Sequence, residues 1–343
     1  MRAWYLPIDA IGGAATSFSL AGVFTQGGAL LFGAKWSLDA GDGLDDKCVF
    51  VSTMGEIAVY SGADPSSASS WSLDGIYQMP KPLGKNACIQ AGGDLLIATE
   101  IGLIPISSAI SNDLAALESK AVSAPIAQYW QAQARAISPG WQMQKLARQG
   151  YMLISQPDAT GATKTALAVN LLTGAWSRIT GWDTACLGQF RDTGYFGAAD
   201  GRIYTVEAGG SDAGGMYTAA FLGQHSSLGA FGLVKTVRQM RAVFQRATAI
   251  APFLTAHPDF SEVLARPPSV FFAPAANGWD TGKWDSAVWD EGAALTVDAQ
   301  WVAVGLTGTT IAPELQISFG SAPAPDVHLV GIDVQFHTGA AVV

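Results

Sequence analysis

The sequence predicts a mainly β chain: an irregular β-propeller-like domain over residues 1–215 with a helical insertion at about 111–137, then an antiparallel, sandwich-like β domain over 216–343. Three observations predict it. Charged residues make up 14% of the chain and Gly 39 of 343, against about 25% and ~7% in ordinary soluble domains, which suits turns and packed sheets better than exposed helices. VFVSTMGEIAVY, LLIATEIGLIPI and YFGAADGRIYTV each run apolar segment, short turn, apolar segment, with a glycine (Gly55, Gly102, Gly201) two positions before an isoleucine (Ile57, Ile104, Ile203). AVNLLTGAW repeats the pattern with Gly174 and Trp176. These are hairpins in which Gly is expected to supply the positive φ of the turn.

Taken in order, the N-terminal stretch from Ala10 to Ala34 has no charged residue and follows Arg2, as a signal peptide would. Its six glycines, its Thr and Ser residues, Pro7 and Asp9 break any apolar block, so neither a membrane span nor an export signal is expected. Gly55 and Gly102 lie 47 residues apart, near the length of a four-stranded propeller blade, with WSLDGIY (71–77) and NACIQA (86–91) as the strands between. The next interval, 72 residues to Gly174, contains SNDLAALESKAVSAPIAQYWQAQARAI (111–137), which opens on Ser and Asn as N-caps and has helical composition despite Pro125. The last interval of 27 is too short for a whole blade, so Gly174 and Gly201 are expected at different places in successive blades. After GGSDAGG (209–215) the pattern changes. VKTVRQMRAVFQ (234–245) fits a strand or a short helix, and SVFFA, ALTVDAQWVAVGLTG, ELQISFG and HLVGIDVQFH read as short strands of a second antiparallel domain.

The net charge of −9 argues against a protein that grips nucleic acid through its phosphates, while DNA passing without sticking stays compatible with it. Cys48, Cys88 and Cys186 are widely spaced and odd in number, so buried free thiols are expected rather than a disulfide framework or a metal knuckle. There is no G-x-S-x-G elbow, and LGKN (83–86) lacks the upstream glycine and the Ser or Thr of a phosphate loop. His328 and His337 would have to meet from neighbouring strands to share a metal, and single hydrogen-bonded histidines are the plainer expectation. DAGDGLDD (39–46) lacks the spacing and terminal Glu of an EF-hand loop and reads as an acidic turn between strands. No catalytic residue, cofactor or metal is expected.

GWDTGKWDSAVWDEG (278–292) sets Trp279, Trp284 and Trp289, each followed by Asp, at a step of five. That step matches neither a strand face nor a helix face, so the segment must bend between pairs. Rings that plug a core, with carboxylates accepting turn N–H groups, are the favoured account. The alternative is a stacking platform for sugars, in a carbohydrate-binding or glycan-cleaving tail fibre or lectin-like propeller.

Residues 49–107 and 170–204 carry a G-A-D-P-S-S turn followed by Trp71, the exit PKPLGK, and T-G-A-W (Trp176) followed by G-W-D (Trp182). In these pieces the first 215 residues or so resemble the β-propeller region of the tail nozzle, or tail tubular protein B, of short-tailed bacteriophages; the rest is similar only in general β character. The resemblance implies a structural virion protein made in the host cytoplasm. It implies a ring of six copies below the portal and adaptor, in contact with other tail proteins and enclosing the channel through which double-stranded DNA leaves. It brings no catalytic residues, no cofactor and no membrane insertion. Gly55, Gly102, Gly174 and Gly201 by the hairpin pattern, Trp71, Trp176 and Trp182 by the motifs just quoted, and Trp279, Trp284 and Trp289 by their step of five are expected to be structural positions. Nozzle proteins carry more propeller sequence ahead of the matching part than stands before Trp4 here, which implies a reduced propeller or a partial product. Low charge suits obligate, apolar interfaces, and unpaired cysteines suit assembly in a reducing compartment.

Overall fold

Apolar runs separated by short turns pair most readily with their immediate neighbours, and antiparallel meanders result. The structure, a computed structural model, describes residues 1–39, 44–67, 69–136, 140–147, 150–156, 165–246, 250–261, 296–320 and 327–341. The chain divides into two compact units, Met1–Val206 and Glu207–Val343. In the first, β1 (Arg2–Tyr5) and β2 (Thr16–Ser19) form a hairpin. Four meander sheets follow. The first is β3 (Leu30–Asp39), β4 (Leu44–Ser52), β5 (Glu56–Gly62) and β6 (Trp71–Gln78). The second is β7 (Cys88–Ala91), β8 (Asp94–Ala98) and β9 (Leu103–Pro105). The helices α1 (Ile106–Ser111), α2 (Leu117–Lys120) and α3 (Ala127–Ala136) come next, with 3-10 turns at Leu114–Ala116 and Ala124–Ile126. The third sheet is β10 (Gln142–Leu146), β11 (Tyr151–Ser155), β12 (Thr165–Asn170) and β13 (Trp176–Thr180), and the fourth β14 (Thr184–Phe190), β15 (Thr193–Ala198) and β16 (Ile203–Thr205).

Inner strands of these sheets are apolar at consecutive positions because both faces are covered. On β4 and β5, Val49, Val51, Ile57 and Val59 face the second sheet, while Phe50, Ala58 and Tyr60 face the β1–β2 hairpin and Trp71. On β8, Leu95 and Ile97 join the first cluster, and Leu96 and Ala98 turn to the third sheet. On β11, Met152 and Ile154 face back toward the second sheet, and Leu153 faces Phe196 of the fourth. The sheets thus follow one another face to face in chain order, with a dry layer in each gap. WSLDGIY closes the first sheet as β6 and NACIQA opens the second within β7, so the two segments expected to share a blade fall in adjacent sheets.

The helical segment starts earlier than the sequence suggested, at Ile106. Ser111 and Asn112 do not cap a helix start. Asn112 instead closes α1, its backbone N–H and side-chain amide both donating to the Ser108 carbonyl, and Asp113 caps the following turn by accepting from the Leu114 N–H. Pro125 sits in the first turn of a 3-10 helix, where no N–H is needed.

Among its described residues the second unit holds two antiparallel sheets. One is β17 (Tyr217–Leu222), β22 (Ile311–Phe319) and β19 (Phe253–Pro258). In the other, β18 (Leu233–Arg246) pairs along one side with β23 (Val327–Ala341) and along the opposite side with β20 (Thr296–Asp298) and β21 (Val302–Gly308). VKTVRQMRAVFQ is therefore a strand, and its every-second-residue burial at Met240, Ala242 and Phe244 is the reason. These side chains and Val237 meet Leu254, Ala256, Leu315 and Ile317 of the other sheet in one core.

The hairpin glycines act in two ways. Gly55 (φ +87°), Gly174 (φ +69°) and Gly201 (φ +82°) are left-handed, and a Cβ on Gly55 would also run into the Met79 carbonyl. Gly102 is not left-handed, contrary to expectation. Its role is close approach, since a Cβ there would stand 2.8 Å from both Ala121 Cβ and Ser123 Oγ. Gly55→Ala is expected to lower stability by about 2 kcal/mol or more, and Gly201→Ala, left-handed but in open space, by only about 1 kcal/mol. Urea unfolding of the two variants checks the order.

Candidate functional site

The first unit's seams between sheets are held by polar side chains as well as by apolar packing. Asp94, the first residue of β8, accepts from Trp36 Nε1 of the first sheet (3.1 Å) and from Ser107 Oγ of α1 (2.5 Å). Buried Glu56, the first residue of β5, accepts from Thr25 N (2.7 Å), Thr25 Oγ1 (3.0 Å) and Gln26 N (3.0 Å), which ties the loop after β2 to the first sheet. Gln142 of β10 copies a backbone peptide: its Nε2 donates to the Ala185 carbonyl (2.9 Å) and its Oε1 accepts from Leu187 N (3.1 Å), both on β14. A parallel bridge from Asn86 to Gln142 links the approach to β7 with β10. The opening strands of the second, third and fourth sheets therefore stand next to one another.

The helical segment completes the second sheet's outer edge. Leu103 N of β9 donates to Ser123 Oγ (2.9 Å) and Val122 N donates to the Leu103 carbonyl (2.9 Å), so a loop stands where a fourth strand would pair. Fully buried Trp130 of α3 donates from Nε1 to the Thr99 carbonyl (2.8 Å), tilts onto Trp141 at 5.0 Å and meets Trp176 edge-on at 6.1 Å. Trp176 on β13 belongs to that aromatic seam. Trp71 on β6 stacks on Tyr60 at 5.3 Å, and Trp182, between β13 and β14, stacks on Phe196 at 5.0 Å. The indole N–H groups of Trp71 and Trp176 are buried with no hydrogen-bond partner among the described residues. Gly55 turns β4 into β5, Gly102 β8 into β9, Gly174 β12 into β13 and Gly201 β15 into β16. Trp279, Trp284 and Trp289 lie outside the described residues. Sequence reading missed Glu56, Asp94 and Gln142; for the first two the available signal was a carboxylate at the first position of a mainly apolar strand, whereas Gln142 opens the mixed strand QMQKL and offered none.

In the second unit, buried His257 of β19 is hydrogen-bonded through Nε2 to Glu314 of β22, which also accepts from Gln316, and all three side chains are closed off from solvent. Fully buried Lys235 donates to the carbonyls of Leu233 (2.9 Å) and Thr309 (2.6 Å). Asp259 holds the same turn: its Oδ1 accepts from Thr309 N (2.7 Å), Thr309 Oγ1 (2.5 Å) and Thr310 N (3.1 Å). Those donors, the Thr309 hydroxyl first, keep its carboxyl below the usual carboxylate range. His328 and His337 both lie on β23 and so cannot approach from neighbouring strands. Among the described residues no three His, Cys, Asp or Glu side chains stand close enough to hold a metal ion. Of the acidic segment 39–46, residues 40–43 lie outside the described residues; Asp46 stands on β4 opposite Ser37 and pairs with Lys35 (2.7 Å) and Ser37 Oγ (2.6 Å), and these partners lower its pKa. The three cysteines are free, but they are not all buried as expected. Cys48 and Cys88 are half-buried, where desolvation pushes both thiols up, Cys88 to about 11, whereas Cys186 on β14 is exposed.

No family model matches the chain, and no curated protein matches it.

Two expectations follow. Gln142→Ala removes the partner of the Ala185 carbonyl and the Leu187 N–H, which should cost about 0.5–1.5 kcal/mol in chemical unfolding because both groups stay within reach of water, with Gln142→Glu restoring only the acceptor half. Asp259 has a folded pKa below its unfolded value of about 3.9, so its contribution is complete above that pH and is lost as pH falls through the folded pKa. Asp259→Asn should remove that part of the acid dependence, read as melting temperature between about pH 6 and pH 2.

Proposed function

We propose that this chain is a structural subunit of a bacteriophage tail, forming a nozzle ring below the portal and adaptor through which double-stranded DNA passes. The observation that carries this reading is the run of four narrow meander sheets in the first unit, stacked face to face in chain order, with the opening strands of the last three side by side. Read as propeller blades, with the helical segment standing in for one outer strand, they supply the wall of a tube. The motifs that resemble those of tail nozzle proteins, from the G-A-D-P-S-S turn to G-W-D, lie on the turns within and between these same sheets.

Surface chemistry supports assembly and free passage of DNA. Apolar side chains stand bare in the first unit, among them Trp4 at 66%, Ile11 at 104% and Leu172 at 93% exposure, and such surface calls for a partner when it is contiguous or repeated around a ring. Cations are few, and Lys35, Lys47 and Arg241 are already matched with Asp46, Asp74 and Asp333, leaving little to displace counterions from a duplex. No helix among the described residues is long and apolar enough to cross a membrane. Identical subunits joined head to tail either close or grow into a filament, and a tail part of fixed size requires closure.

Native mass spectrometry of the purified protein, alone and with its portal-side neighbour, is expected to show a closed oligomer of six. A mobility-shift titration with duplex DNA at physiological salt is expected to show no complex. A strict monomer in both preparations, or tight and salt-sensitive DNA binding, overturns the proposal.

A further inference from the structure

The outward face of the sheet built on β18 carries a chemistry that the packing of the second unit's core does not use. On β18, Val237, Met240, Ala242 and Phe244 point into the core, so Gln239 and Arg241 point the opposite way. On β23, Ile332, Val334 and Phe336 pack against that core, which turns Asp333, Gln335 and His337 outward beside them. The register sets Gln239 opposite Gln335, Arg241 opposite Asp333, and Thr236 opposite His337. Trp301, immediately before β21, stands 46% exposed with the Arg241 guanidinium 4.8 Å from its ring centroid.

We propose that this face binds a neutral polysaccharide. A sugar chain presents apolar C–H faces, which pack on an aromatic ring, and an equator of hydroxyls, each both donor and acceptor. Planar side chains that offer donor and acceptor side by side match those hydroxyls best. The face has both. Trp301 supplies the ring. The side chains of Gln239, Gln335 and His337 are exposed and make no hydrogen bond within the described residues. Arg241 and Asp333, both partly exposed, hold each other through one bond, Nε to Oδ2 at 2.6 Å, which does not use the terminal guanidinium N–H groups or the second carboxylate oxygen.

Other occupants fit less well. The fully buried centre of a protein interface is apolar and depleted of charge, Asp among the residues it disfavours, whereas only Trp301 among these six residues is apolar and Asp333 lies in their midst. A polyanion needs unmatched cations, and Arg241 is neutralised by Asp333. From Arg241 to Thr236 the face runs about 17 Å along the strands at ~3.3 Å per residue, the reach of an oligosaccharide rather than of one sugar. This site is distinct from residues 278–292 and does not depend on the ring reading.

The test is affinity electrophoresis of the full-length protein through native gels containing dextran, galactomannan or purified bacterial O-polysaccharide, with native mass spectrometry of the same sample recording the oligomeric state. That second readout separates failure of the face from failure of the ring. Retardation by at least one neutral polysaccharide is expected, weakened about tenfold by Trp301→Ala, the loss of one aromatic contact with its hydrogen-bonded surround. Because Trp301→Ala also removes a ring from beside Arg241, the fully surface change Gln335→Ala is run in parallel and is expected to weaken retardation several-fold with an unchanged melting temperature. Absence of retardation in all three gels, equal retardation of both variants and the parent, or retardation only by dextran sulfate that disappears with salt would each overturn the proposal.

Discussion

Burial of both faces of narrow sheets is the constraint on which the first unit depends. A three- or four-stranded meander has too little area to close a core alone, so each sheet must lie against the next. β8 makes this visible: Leu95 and Ile97 serve one layer and Leu96 and Ala98 the other, so no residue of that strand after Asp94 has water on either side. A strand so placed cannot carry charge along its length. The low charge content of the chain is a consequence of this architecture more than of its surface.

Polar groups then gather where strands begin and where sheets meet. Asp94 and Glu56 take the first position of their strands, at the rim of the stack, where a carboxylate can collect N–H and O–H donors from the neighbouring element. Gln142 does the same with a neutral amide, supplying one donor and one acceptor at peptide spacing to β14. Such groups fix the rotation of one sheet on the next, which greasy layers leave loosely specified, since a hydrogen bond has direction and an apolar contact has little. In the second unit Lys235 and Asp259 play the equivalent part, gripping the Thr309–Thr310 turn from β18 and from the end of β19.

The mainly β, antiparallel character was legible because it is written in local signals. Paired apolar runs with Gly between them found the hairpins at Gly55, Gly174 and Gly201, where a left-handed turn is a local demand of the backbone. Gly102 looks the same in sequence and differs in cause: what excludes a side chain there is Ala121 and Ser123, about twenty residues away, and contact at that range leaves no local trace. The cap at Asp113 was misplaced by two residues because Ser111, Asn112 and Asp113 are all competent caps, and only the end of α1 decides among them. The 47-residue spacing between Gly55 and Gly102 brackets β5 to β8, and a sheet boundary runs between β6 and β7 inside that interval, so glycine spacing does not mark where one sheet ends and the next begins.

Sites were less legible than elements, for a related reason. Seam residues such as Gln142 are ordinary polar residues at strand ends, and the alternation that announces a half-buried strand says nothing about which outward side chains line up across three strands. The row formed by Gln239 and Gln335, and the one formed by Arg241 and Asp333, exist because bulges shift the register between β18 and β23 near Val237 and Val243. Without the first of these shifts the pairing would slip by one residue, and one strand's outward set would stand opposite the other's inward set. A single extra residue on one strand therefore decides whether this face is a scatter of polar side chains or an ordered surface, and that choice is made by strand pairing across nearly a hundred residues of chain.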